Sequence, residues 1–150
     1  MKLPPLEKIP EAYSAIADQR VEMGEGQALV KSSDGQKRYL VEWAGDLYSS
    51  NDNATYWQGY PGYPVIAVLL LQGRLSYKRE DALKFKGINW RKLNTDHKNN
   101  YASALNEVLG RLKDSGIDVD RLNNNMLLIH QALAGLNLEI KRGKLKPGSK

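Results

Sequence analysis

The sequence predicts an α+β domain, in which a small antiparallel β-meander packs on a layer of about four to five helices around a short buried central helix at residues 64–73. Three observations lead to this fold class. Residues 27–50 alternate in polarity, most of the remaining chain has apolar residues spaced three and four apart, and one fully apolar run lies between the two patterns. Strands and helices segregated along a sequence in this way are typical of α+β proteins.

The apolar run, PVIAVLLLQG at residues 64–73, is the strongest structural signal in the chain. Every residue from Val65 to Leu71 is apolar. Pro64 suits the first position of a helix, where no N–H is needed, and Gly73 suits the position after its end, where φ is positive. A helix that is apolar on every side must be enclosed by other elements, and this one is shorter than the roughly 20 residues that span a bilayer. We therefore predict that it lies at the centre of the fold.

The first third of the chain predicts one helix followed by the meander. Residues 5–20 have the spacing of an amphipathic helix, with a stripe formed by Leu6, Ile9, Tyr13, Ile16 and Ala17. Residues 27–31 and 37–43 alternate in polarity, and the Asp34-Gly35 pair between them favours a hairpin turn. Residues 47–50 predict a third strand. In the second strand, Tyr39, Val41 and Trp43 should share one face.

The last half of the chain predicts mainly helices. Residues 78–86 form one, Thr95 can cap a second that runs to about Asp114, and Asp118 can cap a third. The short loop between the last two favours an antiparallel αα-hairpin. A final strand is indicated at residues 138–141.

The bulk composition indicates one domain. We assign residues 1–142 to a single α+β domain and residues 143–150 to a basic, disordered tail. The chain has no cysteine, which excludes disulfides, a thiolate nucleophile and Cys-ligated zinc. The N-terminal residues MKLPPLEKIP lack the apolar run of a signal peptide. The predicted location is therefore the cytoplasm, with no membrane partner.

The net charge of +5 is concentrated in two places. Five of the 22 basic residues lie in the last ten positions, so the first 140 residues carry 17 basic and 17 acidic groups. Within that neutral part, residues 78–98 hold seven basic and three acidic side chains. The positive charge thus marks one internal stretch and the tail, which is more informative than the high isoelectric point.

Motifs of the common enzyme classes are missing from the sequence. It contains no G-x-S-x-G, no P-loop and no G-x-G-x-x-G. Its two histidines, His97 and His130, lack a second histidine or a carboxylate at the helical spacing of a metal face. We expect a solvated His97 and a half-buried, hydrogen-bonded His130. The sequence therefore predicts no cofactor, no metal and no catalytic residue.

Two short acidic patterns resemble metal sites without completing one. Glu139 and Lys141 have the spacing that metal-dependent nucleases use on a strand, but such a site also needs an acidic partner on a neighbouring strand. The Asn51-Asp52-Asn53 triplet resembles the start of a calcium loop, but the glycine and distal glutamate are missing. A nuclease-like enzyme remains the second alternative, and the triplet is interpreted as a turn.

The basic stretch also contains aromatic residues, because Tyr77, Phe85 and Trp90 are interleaved with its cations. Cations suit a phosphate backbone, and aromatic rings suit unstacked bases. The candidate binding residues here are Arg79, Lys84, Lys86, Trp90, Arg91 and Lys92. The alternative is an ordinary amphipathic segment, with Phe85 and Trp90 in the core and the lysines in water.

A second candidate surface is the aromatic loop at residues 56–63, where four rings fall within eight residues. Exposed tyrosine and tryptophan side chains dominate protein interfaces and also stack on bases. Its candidate binding residues are Tyr56, Trp57 and Tyr60. The alternative is that these rings cover the central helix and reach water with their polar groups.

These observations favour a non-catalytic binding module whose partner is RNA or another polyanion, bound through residues 77–98. The first alternative is a protein-interaction or homo-oligomeric subunit that uses the aromatic loop and has itself as a partner.

Overall fold

The computed structural model describes residues 1–147 and has the predicted α+β class. The helices are α1 (Lys8–Ala17), α2 (Tyr63–Leu71), α3 (Arg79–Leu83), α4 (Trp90–Asp96), α5 (Tyr101–Asp114) and α6 (Val119–Ala134). The strands are β1 (Val21–Met23), β2 (Gln27–Lys31), β3 (Arg38–Ala44), β4 (Leu47–Ser50) and β5 (Glu139–Arg142). A short π-helical turn, Ala54–Gln58, precedes α2. In this described part, no helix has the length and apolar character needed to cross a membrane.

The strands form one five-stranded sheet in the order β1-β2-β3-β4-β5. The predicted meander is confirmed, because β2, β3 and β4 pair antiparallel and Gly35 in the hairpin turn has a φ of 74°. Two further strands lie at its edges: β1, which was not predicted, pairs antiparallel with β2, and β5, indicated at residues 138–141, pairs parallel with β4. The predicted common face of β3 buries Tyr39 and Val41 against the helices.

Helix α2 occupies the predicted central position. It contacts α1 on one side and strands β1, β3 and β4 on the other. Residues 64–70 are all buried, and the apolar run ends at Leu71, which is 39% exposed. Gly73 has a φ of 77°, as expected of the residue that ends the helix.

Helix α1 is more deeply buried than its sequence pattern predicts. The periodicity indicated one apolar stripe, yet residues 8–15 are all buried, including Lys8, Glu11 and Ser14. The reason is that α2 covers one side of α1, while α3 and α6 contact it elsewhere. Polar side chains are therefore enclosed in the middle of the domain.

Three of the predicted helices have different bounds in the structure. The helix expected from Thr95 is split: α4 ends at Asp96, and α5 begins at Tyr101. Lys98 and Asn99, which lie between these two helices, have φ values of 54° and 62°. A right-handed helix cannot continue through residues with positive φ. The side chain of Thr95 bonds to the carbonyl of Arg91 in the preceding turn, so it caps nothing. The helices expected at 5–20 and 78–86 are shorter, because α1 covers only Lys8–Ala17 and α3 covers only Arg79–Leu83.

The chain stays against the sheet beyond the predicted end of the domain. The N–H of Gly143 donates to the carbonyl of Ser50 at 2.8 Å, and the carbonyl of Lys146 accepts from Asn51 Nδ2 at 3.4 Å. A Cβ at Gly143 would lie 2.9 Å from the backbone of Asn51, so only glycine fits there. The tail assigned to residues 143–150 is thus in contact with the domain at its start, and residues 148–150 lie outside the described part.

Candidate ligand-binding cleft

An open cleft of about 320 Å³ lies where several distant segments of the chain meet. Helix α1 supplies its floor, and the β2–β3 turn, the start of the π-helical turn, α4 and the start of α5 supply its walls. The side chains that line it and carry chemistry are Lys8, Glu11, Ser33, Lys37, Tyr39, Asp52, Tyr63, Trp90, Arg91, Asn94 and Tyr101. Its size is at the lower end of the range for small-molecule sites.

The floor of the cleft is a buried polar cluster. Lys8 Nζ lies 3.7 Å from Glu11 Oε2, and the two residues are only 8% and 6% exposed. Asn94 Nδ2 donates to Glu11 Oε1 at 3.1 Å. The ammonium group of Lys8 also sits 4.5 Å from the centre of the Tyr101 ring, in cation–π contact. A charged pair is thus held in place from two sides.

Burial changes the acid–base behaviour of this cluster. The pKa of the Glu11 carboxyl is raised from 4.5, because its removal from water outweighs the attraction of Lys8 and the hydrogen bond from Asn94. Burial alone would lower the pKa of Lys8, but Glu11 and the hydroxyls of Tyr101 and Tyr60 raise it above 10.5. Lys8 therefore stays charged, whereas Glu11 is moved towards its neutral acid form.

One atom of the floor lacks a partner. Asn94 donates to Glu11 through its nitrogen, but its buried Oδ1 accepts no hydrogen bond from the residues that the structure describes. A buried acceptor without a donor costs roughly 1–3 kcal/mol. A donor from a ligand in the cleft would remove that cost.

Asp52 belongs to a rigid wall of the cleft. Its Oδ1 accepts from the hydroxyls of Ser50 at 2.5 Å and Thr55 at 2.8 Å, and its Oδ2 accepts from the backbone N–H of Thr55 at 3.1 Å. A Cβ on Gly62 would come within 2.0 Å of this carboxylate, which explains the glycine before α2. The Asn51-Asp52-Asn53 segment is therefore a turn held by internal hydrogen bonds.

Aromatic rings form another part of the lining. Tyr39 and Tyr63 meet edge to face with ring centres 6.3 Å apart. Burial is the main reason that the pKa of Tyr39 is raised to about 12 and that of Tyr63 further. Both hydroxyls therefore remain protonated at neutral pH and can donate hydrogen bonds.

The rim of the cleft carries two cations. Lys37 is partly exposed, and Arg91 lies 3.3 Å from Asp34 Oδ2 while its backbone N–H donates to the hydroxyl of Ser33. Hydrogen bonds from the backbone of Gln36 and from Ser32 lower the pKa of Asp34, with a smaller contribution from Arg91. The β2–β3 turn is thus tied to the start of α4.

The predicted residues of the basic stretch are separated by the fold. Trp90 is buried and donates its indole N–H to Ser14 Oγ at 2.7 Å, and Phe85 is fully buried, as in the alternative interpretation. Arg91 lies at the cleft, and Lys92 pairs with Asp96 on the exposed side of α4. The remaining members belong to α3 or its end, where Arg79 and Lys86 are exposed and Lys84 is partly buried.

The predicted residues of the aromatic loop form a different cluster. Tyr56 and Trp57 pack edge to face at 4.7 Å, and Arg142 of β5 lies over both rings. Trp57 is 61% exposed. Tyr60 instead faces the N-terminus, where Lys2 lies 5.7 Å from its ring centre. The loop therefore contributes one exposed indole rather than a continuous aromatic surface.

The histidines and the Glu139–Lys141 pair lie apart from the cleft. His97 differs from the expected solvated state, because it is partly buried 3.2 Å from Glu107 Oε1. His130 is partly buried and contacts the carbonyl of Pro4 at 2.8 Å, as expected. Glu139 and Lys141 are exposed and lie 3.8 Å from each other. Across residues 1–147, no three side chains of the metal-binding types gather at one point.

Sequence reasoning missed most of the cleft residues. Lys8 and Glu11 resemble an exposed i, i+3 ion pair, and Asn94 and Tyr101 lie more than 80 positions away from them. Nothing local marks these side chains, because their burial comes from contacts between distant segments. Of the candidate binding residues predicted from the sequence, Trp90 and Arg91 do line the cleft.

Comparison with curated proteins and with solved structures gives no match. A family match does cover most of the chain, residues 1–139, and so includes every element up to the start of β5 and every lining residue of the cleft. The chain belongs to the family described as uncharacterised conserved protein UCP014422.

Proposed function

We propose that this protein binds a small hydroxylated anion, such as a sugar phosphate or a sugar acid, in the cleft floored by α1. The observation that carries the proposal is the buried Lys8–Glu11–Asn94 cluster at the bottom of an open cavity. Burying charged groups costs free energy, and apolar residues would fill the same space at lower cost. Ligand binding explains why the chain has charged and polar side chains here despite that cost.

The floor suits hydroxyl or amino groups of a ligand. Asn94 Oδ1 is a buried acceptor, and the oxygens of the Glu11 carboxyl accept one hydrogen bond, from Asn94, so they keep lone pairs for a further donor. Lys8 supplies a donor on the same side. A molecule with adjacent hydroxyls can donate to the first two groups and accept from the third.

The rim suits an anionic group. Lys37 and Arg91 both line the cleft and are more exposed than the floor. A phosphate or carboxylate at this level would meet two cations, and Arg91 can present two parallel N–H groups to it. The tyrosine rings on the lining supply apolar contact area for the carbon skeleton between the two ends.

The test is calorimetric titration of the full chain with a panel of sugar phosphates and sugar acids, beside inorganic phosphate and the neutral sugars. We expect at least one hydroxylated anion to bind more tightly than either of its two halves, because only the complete molecule reaches both floor and rim. Absence of binding across the whole panel, or equal binding of inorganic phosphate alone, would contradict the proposal.

Matched variants assign any binding to the cleft. Arg91→Ala should weaken it about tenfold, the usual value of a charge-assisted hydrogen bond, whereas Lys92→Ala should leave it unchanged. The two residues are adjacent on α4, but Lys92 is paired with Asp96 outside the cleft. At the floor, Asn94→Leu should abolish binding of the hydroxylated ligand. Equal effects of Arg91→Ala and Lys92→Ala would mean that the anion binds elsewhere.

The predicted binding of RNA or another polyanion remains a second candidate. What favours it is that Arg79 and Lys86 are exposed and form no ion pair within residues 1–147. The burial of Trp90 and the pairing of Lys92 count against it. If RNA is the ligand, the logarithm of the binding constant for single-stranded RNA should fall with the logarithm of the salt concentration, at a slope of roughly −0.7 per phosphate contact. The double substitution Arg79→Ala with Lys86→Ala should make that slope less steep.

Self-association through the aromatic loop is supported by a single observation, the exposure of Trp57. Trp57→Ala should lower the mass measured by light scattering if this indole forms the contact. An unchanged mass would remove the loop from consideration as a subunit interface.

A further inference from the structure

A second groove, of about 300 Å³, lies between α1, the segment before α3, α3 itself and α6. Its walls are mainly apolar and include Ile129, Leu128 and Ala132 of α6. Leu128 lies outside the buried stripe of that helix and is 61% exposed. A large apolar side chain in that position extends the wall of the groove into solvent.

Two polar groups converge within these apolar walls. The ring of Tyr13 is completely buried, and its hydroxyl has no hydrogen-bond partner in the described chain. Asp81 is also buried, and its Oδ2 accepts from Asn125 Nδ2 at 2.8 Å. Tyr13 and Asp81 line the same groove. Burial raises the pKa of the Tyr13 hydroxyl, and the Asp81 carboxylate raises it further.

The groove is independent of the first cleft. Glu11 and Tyr13 are two residues apart on α1, which turns about 200° over that distance. Glu11 therefore faces the first cleft and Tyr13 faces the second, and the two cavities share no lining residue.

We infer that this groove binds a small apolar amine, whose ammonium group lies between the Asp81 carboxylate and the Tyr13 oxygen. A buried carboxylate whose side-chain partner is the neutral amide of Asn125 favours a cation, and the unpartnered Tyr13 oxygen can accept an N–H from the same ammonium group. The apolar walls match the carbon part of such a ligand. Lys78, at the exposed edge of the groove, can keep its charge in water.

The first test compares 2-phenylethylamine with 2-phenylethanol, its neutral counterpart of the same shape, in calorimetric titrations of the full chain. The amine should bind about tenfold or more tightly, because only its hydrogen bond to Asp81 is charge-assisted. Equal binding of the two compounds, or no binding of either, overturns the proposal without requiring any variant.

Variants then locate the site. Asp81→Asn keeps the shape of the side chain and should remove the preference for the amine. Tyr13→Phe removes only the hydroxyl that lacks a partner, so the fold should stay intact while amine binding weakens a few-fold. This variant tests the site if Asp81→Asn does not fold. Undiminished amine binding by Tyr13→Phe and by folded Asp81→Asn would overturn the proposal.

Two control variants test whether the nearby cation Lys78 contributes to amine binding and whether the amine binds in the first cleft instead. Lys78→Ala should leave amine binding unchanged or strengthen it, because it removes a like charge at the rim. Asn94→Leu, which disables the first cleft, should not affect it. An amine that loses binding in Asn94→Leu but not in Tyr13→Phe would belong to the first cleft, and the proposal for the groove would be wrong.

Discussion

Helices α1 and α2 pack against each other in the middle of the domain, and both are almost completely buried, yet their side chains are of opposite kinds. The buried residues of α2 are all apolar. Those of α1 include a lysine, a glutamate, a serine and a tyrosine hydroxyl. The comparison separates two reasons for burial: α2 contributes apolar surface to the core, whereas α1 holds polar groups in fixed positions.

The surroundings of the two helices explain the difference. The sheet and α1 pack against α2, and its residues 64–70 are all buried. Helix α1 meets α2 on one side, but its other faces form the floor of the first cleft and one wall of the second groove. Polar groups buried in those positions cost stability, but they are held rigidly enough to bind a ligand. The proposed anion site in the first cleft and the proposed amine site in the second groove both depend on them.

The largest effect is expected from Lys8→Met. Removal of one partner leaves the Glu11 carboxylate buried without its counter-ion, which costs about 3–5 kcal/mol. The loss should depend on pH. A carboxyl whose folded pKa lies above its unfolded value of 4.5 binds more protons when folded, so its contribution to stability falls as the pH rises from 4.5 through the folded pKa. Urea titrations should therefore give a larger deficit at pH 8 than at pH 5.

The control for this prediction is the double substitution Lys8→Met with Glu11→Leu. Replacement of a buried ion pair by apolar residues is often neutral or stabilising, so the double variant should recover most of the loss. Its deficit should not grow between pH 5 and pH 8, because it no longer has the Glu11 carboxyl that destabilises the fold as the pH rises. A deficit of Lys8→Met that is the same at pH 5 and pH 8 would show that the charge of Glu11 is not its cause.

Helix α2 should respond as a pure packing element. Leu70→Ala should cost about 2–5 kcal/mol through the cavity it leaves, with no dependence on pH. The neighbouring Leu71→Ala is the matched control, because Leu71 is the exposed residue at the end of the same helix, and it should cost about 0.5 kcal/mol or less. Similar values for the two variants in urea titrations would contradict the central position of α2.

The hydroxyl of Ser14 on α1 should have a smaller effect. It donates to the carbonyl of Phe85 at 2.5 Å and accepts from the indole N–H of Trp90 at 2.7 Å. Ser14→Ala leaves both partners buried without a bond and should cost about 1–3 kcal/mol. The exposed Ser76→Ala should stay within about 0.5 kcal/mol, and thermal unfolding of the two variants would distinguish them.

The smallest expected effect is that of Tyr13→Phe, which should leave the free energy of unfolding unchanged or raise it by up to about 1 kcal/mol. Its matched control is Tyr48→Phe, since Tyr48 is equally buried but donates to Gln72 Oε1 at 2.6 Å. That variant should lose about 1 kcal/mol. If Tyr13→Phe lost as much as Tyr48→Phe, the hydroxyl of Tyr13 would have a partner within the fold.

Local signals in the sequence were sufficient for the main elements of the fold. The apolar run at 64–73, the Asp34-Gly35 turn and the capping residue Asp118 each predict an element that the structure contains. They succeed because periodicity and turn chemistry act over a few residues. The helix predicted from Thr95 was wrong for the same reason. A candidate capping residue carries only local information and does not reveal that Lys98 and Asn99 break the helix just after it.

By itself, the sequence determined the α+β class and the buried position of α2, because seven apolar residues in a row can only be stable away from water. The tertiary structure alone decided that Lys8 and Glu11 would be buried too. Their burial depends on Asn94 and Tyr101, which the path of α4 and α5 brings over α1 from more than 80 residues away. A polar pair on a helix has the same local pattern in water as in a cleft, and only the packing of distant segments distinguishes the two.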